Sequence, residues 1–385
     1  MVGILRKSGA FRLIWSVLSF SLATAFVFLS TDVLAQSSVG VPANAATGRS
    51  LTDAVDQVGK ELIDREVLGA APAGSPTAGG AAIGISAFPT GRLRTSDHDG
   101  RRPRDATSFA YETNEGSAFA NVVVAVPGTM LGGQLKLAGF VGSNLLSLDL
   151  KSNALAVLDP AQFAKADNSA TLAGATALWA SGGFYALASI VGMWGETKLV
   201  DGVDDCYPGG CNVNRYKFDT TGFIGTVTAG KVFDLAGASG PKLDVRGSIG
   251  HTRNTADPFV NINNGDPAKP HDGGGHIQNY KFSTWNGTAA ATLFANLSMP
   301  NDAMLRPYIQ GSMRQEWQYR NVIEATSPEG ILTRTVYDQR HLYGGVDVGL
   351  TYTQGKMTLG SSVYFEGSGD ERSIGARLRA SWQLN

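Results

Sequence analysis

The sequence predicts an all-β protein, a transmembrane antiparallel barrel of about twelve strands preceded by one α-helix. Three observations carry that fold class. From about Ala81 onward, apolar and polar residues alternate with a period of two, the mark of strands whose faces meet unlike surroundings. The polar faces carry arginine, aspartate and glutamine, which a water-soluble β core would not tolerate unpaired. The connections alternate short and long, as a membrane barrel with tight turns at one rim and loops at the other requires.

Composition narrows the class further. The 385 residues are 17% charged and 43% hydrophobic with 48 glycines, too apolar and too weakly charged for disorder. Thirty-two basic residues against 33 acidic ones lack the basic excess of a nucleic-acid binder, so no nucleic-acid partner is expected. Only the extreme N-terminus approaches an 18-residue apolar run, which excludes a helical membrane bundle.

That run, within residues 1–35, reads as an export signal. Arg6, Lys7 and Arg12 precede an apolar core from Leu13 to Leu29. Val33-Leu34-Ala35 then offers small residues for cleavage between Ala35 and Gln36. An uncleaved membrane anchor is the alternative, because the core is long. Cleavage removes three basic residues and Asp32, leaving 29 basic and 32 acidic residues. The export translocase is therefore an expected partner.

Residues 36–50 are small and polar without periodicity and read as a short tail. Ser50 offers a helix cap with Asp53 three residues on, and Leu51, Ala54, Val55, Val58 and Leu62 then share one side. The predicted helix runs from Leu51 to Leu68, and a linker rich in alanine, proline and glycine completes residues 51–80.

Residues 81–385 carry the barrel. Strands are predicted near 81–95, 117–126, 133–149, 169–180, 183–199, 215–232, 242–254, 277–297, 303–319, 339–353, 356–366 and 372–384. The cleanest is 305–319, with Leu305, Pro307, Ile309, Gly311, Met313, Trp317 and Tyr319 against Arg306, Tyr308, Gln310, Ser312, Arg314, Glu316 and Gln318. Val346, Val348 and Leu350 alternate with Asp347, Gly349 and Thr351. Leu243, Val245 and Ile249 alternate with Asp244, Arg246 and Ser248. The last strand sets Ile374, Ala376, Leu378, Ala380, Trp382 and Leu384 against Gly375, Arg377, Arg379, Ser381 and Gln383. One face must suit hydrocarbon and the other a wet lumen, and only a closed barrel spans a membrane with strands. Trp317, Tyr319, Tyr352 and Trp382, near strand ends, suit an interfacial aromatic girdle.

Cys206 and Cys211 are the only cysteines and flank a Pro-Gly-Gly turn. In an exported chain they are expected to form a small disulfide loop, and two thiols are too few for structural zinc. No Gly-x-Ser-x-Gly, His-Glu-x-x-His or phosphate-binding glycine loop occurs, so no catalytic residue, cofactor or metal ligand is assigned. His98, His271 and His276 lie in loops, while His251 and His341 lie near strand ends.

With the helix, the strands and the C-terminus in view, the sequence resembles the translocator domain of bacterial autotransporters, the type V secretion family. Leu305-Arg306-Pro307-Tyr308 resembles the family's Pro-Tyr strand opening. Gly375, Leu378, Ala380, Trp382 and Leu384 resemble the C-terminal signal read by the barrel-assembly machinery. The resemblance implies that the 51–68 helix threads the pore, that the barrel sits in the bacterial outer membrane among its lipids, and that the barrel-assembly machinery is a partner. The chain departs from the family in ending Trp382-Gln383-Leu384-Asn385 without a terminal aromatic, and in a passenger reduced to the 36–49 tail. Its helix also contains no asparagine for self-cleavage.

A helix in the lumen also makes electrostatic sense. It carries Asp53, Asp56, Glu61, Asp64 and Glu66 against Lys60 and Arg65, while the predicted inward faces present Arg246, Arg306, Arg314, Arg377 and Arg379. The expected function is a monomeric pore-forming or surface-displaying outer-membrane barrel with a vestigial passenger. The alternatives are a structural or adhesive barrel acting through its long loops, or a barrel enzyme of the omptin protease or phospholipase kind.

Overall fold

The computed structural model describes residues 46–68, 83–98, 109–153, 162–203, 213–237, 240–260, 262–263, 277–326, 332–337, 341–369 and 371–383. The signal segment, most of the 36–50 tail, Cys206, Cys211, His271, His276 and Leu384 lie outside them. So do residues 69–82, which join helix to barrel.

Twelve long strands form the wall: β1 (Ile83–His98), β2 (Phe109–Ala125), β3 (Gln134–Asn153), β4 (Gln162–Ser181), β5 (Phe184–Val203), β6 (Val213–Asp234), β7 (Lys242–Ala256), β8 (Ile277–Phe294), β9 (Met304–Thr326), β10 (Leu342–Gln354), β11 (Met357–Gly367) and β12 (Glu371–Gln383). Each pairs antiparallel with the next. β12 then pairs with β1, from Gly84↔Gln383 to Ser96↔Glu371, and closes the barrel. Four short strands, Phe259–Val260, Ile262–Asn263, Leu297–Ser298 and Leu332–Tyr337, extend its edges.

One rim is made of short turns. Gly182 and Gly183 join β4 to β5 with φ of 55° and 82°, and Gly355 opens the two-residue turn into β11 with φ of 55°. Positive φ is cheap only for glycine, so these positions fix the tight rim. The other rim carries most of the longer connections.

The wall has the inverse polarity of a water-soluble β core. Val348, Leu378 and Ile374 point outward at 53%, 60% and 52% exposure, whereas Arg306 and Asp347 point inward at 2% and 4%. The predicted alternation of β7, β9, β10 and β12 therefore corresponds to an outer apolar belt and an inner polar wall. Gln318, assigned inward from parity, is instead exposed. It has φ of 50° and sits where Ser283↔Arg320 gives way to Trp285↔Trp317, a bulge with one extra residue on β9.

Several strands outrun their predicted limits. β2 begins at Phe109, β4 at Gln162, and β9 continues to Thr326. About 9–11 residues suffice to cross a membrane, so these ends stand beyond the apolar belt. There the outward face turns charged: Lys165 pairs with Asp149 at 3.3 Å and Lys217 with Glu196 at 2.8 Å. The apolar-out pattern ends with the belt, although the hydrogen-bonded ladder continues.

The helix, α1, occupies residues 46–66 inside the barrel. It is already helical at residue 46, five residues before the predicted first residue, Leu51, and Ser50 is no cap. Ser50 lies within the helix and exchanges hydrogen bonds with Asn144 of β3. Gly48 lies flat on the Phe282 ring, where a β-carbon would overlap it. Contacts with the wall thus hold the extra turn in place of a local cap.

Candidate functional site

The lumen is two-sided, and α1 matches both sides. Leu51, Ala54, Val55 and Val58 pack against Phe88, Phe119, Phe140, Leu172, Val191, Met193 and Ile224 of β1 to β6. Lower down, Leu62, Ile63 and Leu68 join Val123, Leu178, Leu187 and Phe294. The opposite wall, β7 to β12 with the arginines of β1, is polar and charged.

Along that wall the ion pairs fall in tiers. At the long-connection rim, Arg49 binds Glu371, which also accepts hydrogen bonds from Tyr111 (2.9 Å) and Tyr343 (2.7 Å). Glu316 lies 3.6 Å from the same guanidinium. One turn down, Asp53 is held by Arg92, by Arg94 at 2.6 Å and by Arg314 at 2.7 Å. Lys60 then pairs with Asp347, which also binds Arg377 at 2.7 Å. Glu61 binds Arg379 at 2.8 Å, and on the facing wall Glu66 binds Lys136 of β3. At the short-turn rim Arg306 donates to the carbonyl oxygens of Leu68 (2.6 Å) and Asp64 (3.1 Å), satisfying the open carbonyls of the helix end.

Of the five predicted lumen arginines, Arg306, Arg314 and Arg379 bond α1 directly. Arg377 reaches it through the shared Asp347. Arg246 makes no hydrogen bond or ion pair to the helix among the described residues: it binds Asp244 of its own strand at 2.7 Å and Gln310 at 2.6 Å. Sequence reasoning missed Arg92 and Arg94, although both alternate with outward Leu93. It also missed Arg49, Glu371 and Lys136.

Between α1 and the charged wall lies a cavity of about 140 Å³, lined by Asp56, Lys60, Arg246, Thr288, Ser312 and Arg314. It is polar and roomy enough for water. Among the described residues no group of three or more His, Cys, Asp or Glu is placed to hold a metal ion.

The remaining predicted residues have plain positions. Leu378, Ala380 and Trp382 face outward. Gly375 faces inward beneath Tyr364, whose ring a β-carbon there would overlap. Trp382 is exposed, Tyr352 donates to Gln354 at 2.9 Å, and Trp194 and Trp285 join the outward aromatics. His341 is buried beside Tyr343, and His251 lies on the outer face beside Trp285.

Neither protein-family models nor curated protein sequences match the chain. Solved structures do. The β domain of the Bordetella autotransporter BrkA aligns over 78% of this chain and 99% of its own, with TM-score 0.52 and 14% identity. The translocator domain of NalP from Neisseria meningitidis aligns over 89% and 98%, with TM-score 0.59 and 12% identity. The transport unit of AIDA-I from Escherichia coli aligns over 78% and 90%, with TM-score 0.54 and 9% identity. At these identities the likeness is one of fold. The chain has the fold of an autotransporter translocator domain, a closed twelve-stranded barrel holding its own N-terminal helix.

Proposed function

We propose that this is an outer-membrane barrel, plugged by its own helix, that displays the short segment preceding the helix at the cell surface. The observation that carries this reading is the direction of α1. Its first turn is level with Glu371 and Tyr343 at the long-connection rim, and Leu68 meets Arg306 at the short-turn rim. In outer-membrane barrels the short turns face the periplasm and the longer loops face outward, so the N-terminal end of α1, at residue 46, faces the outside. The apolar inner wall of β1 to β6 supports permanent residence, because withdrawing α1 would expose Phe119, Leu172 and Met193 to water. The reading gives the barrel no chemical step and relies on the barrel-assembly machinery for insertion.

An epitope inserted after Val41 of the full chain tests it. Antibody labelling of intact cells is the expected result. Labelling only after the outer membrane is broken would contradict surface display.

A further inference from the structure

On the outer face, the boundary between apolar belt and polar extension is sharp. Along β7 the outward residues run Val245, Ile249, His251, Arg253 and Thr255; along β8, Leu293, Trp285, Ser283 and Lys281; along β6, Val227, Phe223 and Thr221. Val245, Ile249, Val227 and Leu293 are exposed apolar residues, and Phe223 and Trp285 mark the edge of the belt. His251, Arg253 and Ser283 form the first polar row above it.

That row is built of donors. Register places Arg253 directly between Phe223 and Ser283. His251 Nε2 lies 3.1 Å from Ser283 Oγ, with its ring 4.8 Å from that of Trp285. Thr221 and Thr255 pair their hydroxyls at 3.1 Å one step higher. None of these neighbours is acidic. At the long-connection rim, the other outward cations of β4 to β8 whose side chains are described each have a carboxylate: Lys165 has Asp149, Lys198 and Lys217 share Glu196, and Lys281 has Glu324. Lys231, at the short-turn rim, lies instead over the Phe184 and Phe233 rings. Arg253 is exposed and has no carboxylate partner among the described residues.

We propose that Arg253, His251 and Ser283 bind the phosphate of a membrane lipid whose acyl chains lie on Ile249, Val227 and Trp285. An unpaired guanidinium beside hydroxyl and imidazole donors fits a phosphate's oxygens. The row sits at the belt's edge, where a lipid's headgroup begins, which favours a lipid phosphate over a free one. The proposal rests on the reading of a membrane barrel with its long-connection rim outside, so the lipid belongs to the outer leaflet.

The purified mature chain, mixed in detergent with phosphorylated lipid A, with the same lipid stripped of its phosphates, or with inorganic phosphate, would be assayed by native mass spectrometry. The expected result is about tenfold greater retention of the phosphorylated lipid, the scale of one charge-assisted hydrogen bond. Arg253→Ala should abolish the preference, Ser283→Ala should reduce it, and Lys165→Ala should leave it intact. Equal retention of both lipids, an unchanged preference in Arg253→Ala, or competition by inorganic phosphate at equal concentration would each overturn the proposal. Flotation with phosphatidylcholine vesicles separates the two failures. A chain that inserts but shows no phosphate preference fails this proposal alone, and one that does not insert fails the membrane reading beneath it.

Discussion

Arg314 of β9 reaches 2.7 Å across the barrel interior to Asp53 of α1, joining a wall residue and a helix residue 261 positions apart in sequence. Arg92 and Arg94 converge on the same carboxylate, so one helix acid compensates three wall cations. A buried charge that loses its partner costs far more than the pair itself contributes. The tier therefore specifies the depth and rotation of α1 more than it adds stability.

Removing that acid should be severe. Asp53→Ala leaves three buried guanidiniums facing one another, with Glu366 and Glu115 as their remaining partners. The expected loss is about 3–5 kcal/mol, read as a lower urea midpoint in detergent. Arg314→Ala should cost less, because Asp53 keeps Arg92 and Arg94. Equal losses in the two variants would contradict the converging arrangement.

Arg306 should act as the cap of the helix end. Arg306→Ala removes two charge-assisted hydrogen bonds to main-chain carbonyls and should cost about 1.5–3 kcal/mol. Hydrogen exchange should quicken at Glu66 in the last turn of α1 and at Val67 just beyond it, and stay unchanged at the first turn. Uniform quickening along the helix would argue against a local cap.

Two neighbouring arginines should behave unlike one another. Arg379→Glu places an acid against Glu61 and Asp64, 2.8 and 3.8 Å from its guanidinium, and should loosen α1 and raise conductance. Arg377→Glu disturbs Asp347 and touches the helix only through Lys60, so its effect should be smaller. Planar-bilayer recordings of the two variants check the order, and a reversed order would move the helix contact to Arg377.

The outer belt is tested by Leu378→Arg. This position is 60% exposed on β12, and a cation on a barrel's lipid face costs about 2–4 kcal/mol near the membrane midplane. Unfolding from lipid vesicles should show the loss, and unfolding from detergent should show less of it. An equal loss in both would mean that the position does not face lipid.

The barrel was legible in the sequence because two solvents write one repeating code. An apolar outer belt and a charged lumen give Val346, Val348 and Leu350 one fate and Asp347 and Thr351 the other. The code fails where one solvent changes. Beyond the belt, Lys165 and Asp167 face water, so the first turns of β4 carry no apolar-out signal although they pair fully with β5. The first described turn of α1 is hidden differently: Thr47 and Gly48 are poor helix residues, and partners far away in sequence, among them Phe282, Tyr111, Asn144 and Glu371, hold that turn. Arg92 and Arg94 escaped notice because Pro89 and Gly91 interrupt the alternation of β1. Arg246 was assigned to the helix from its face alone, and the face says nothing of the nearer Asp244.

The central claim is that α1 fills the pore, and conductance tests it most directly. Residues 46–66 span ~31 Å at ~1.5 Å per residue, the thickness of a hydrocarbon core. The purified chain, in planar bilayers, should conduct poorly through the water-sized space beside the helix. Deleting residues 36–75 should raise single-channel conductance several-fold. Equal conductance with and without those residues would contradict a helix-filled lumen.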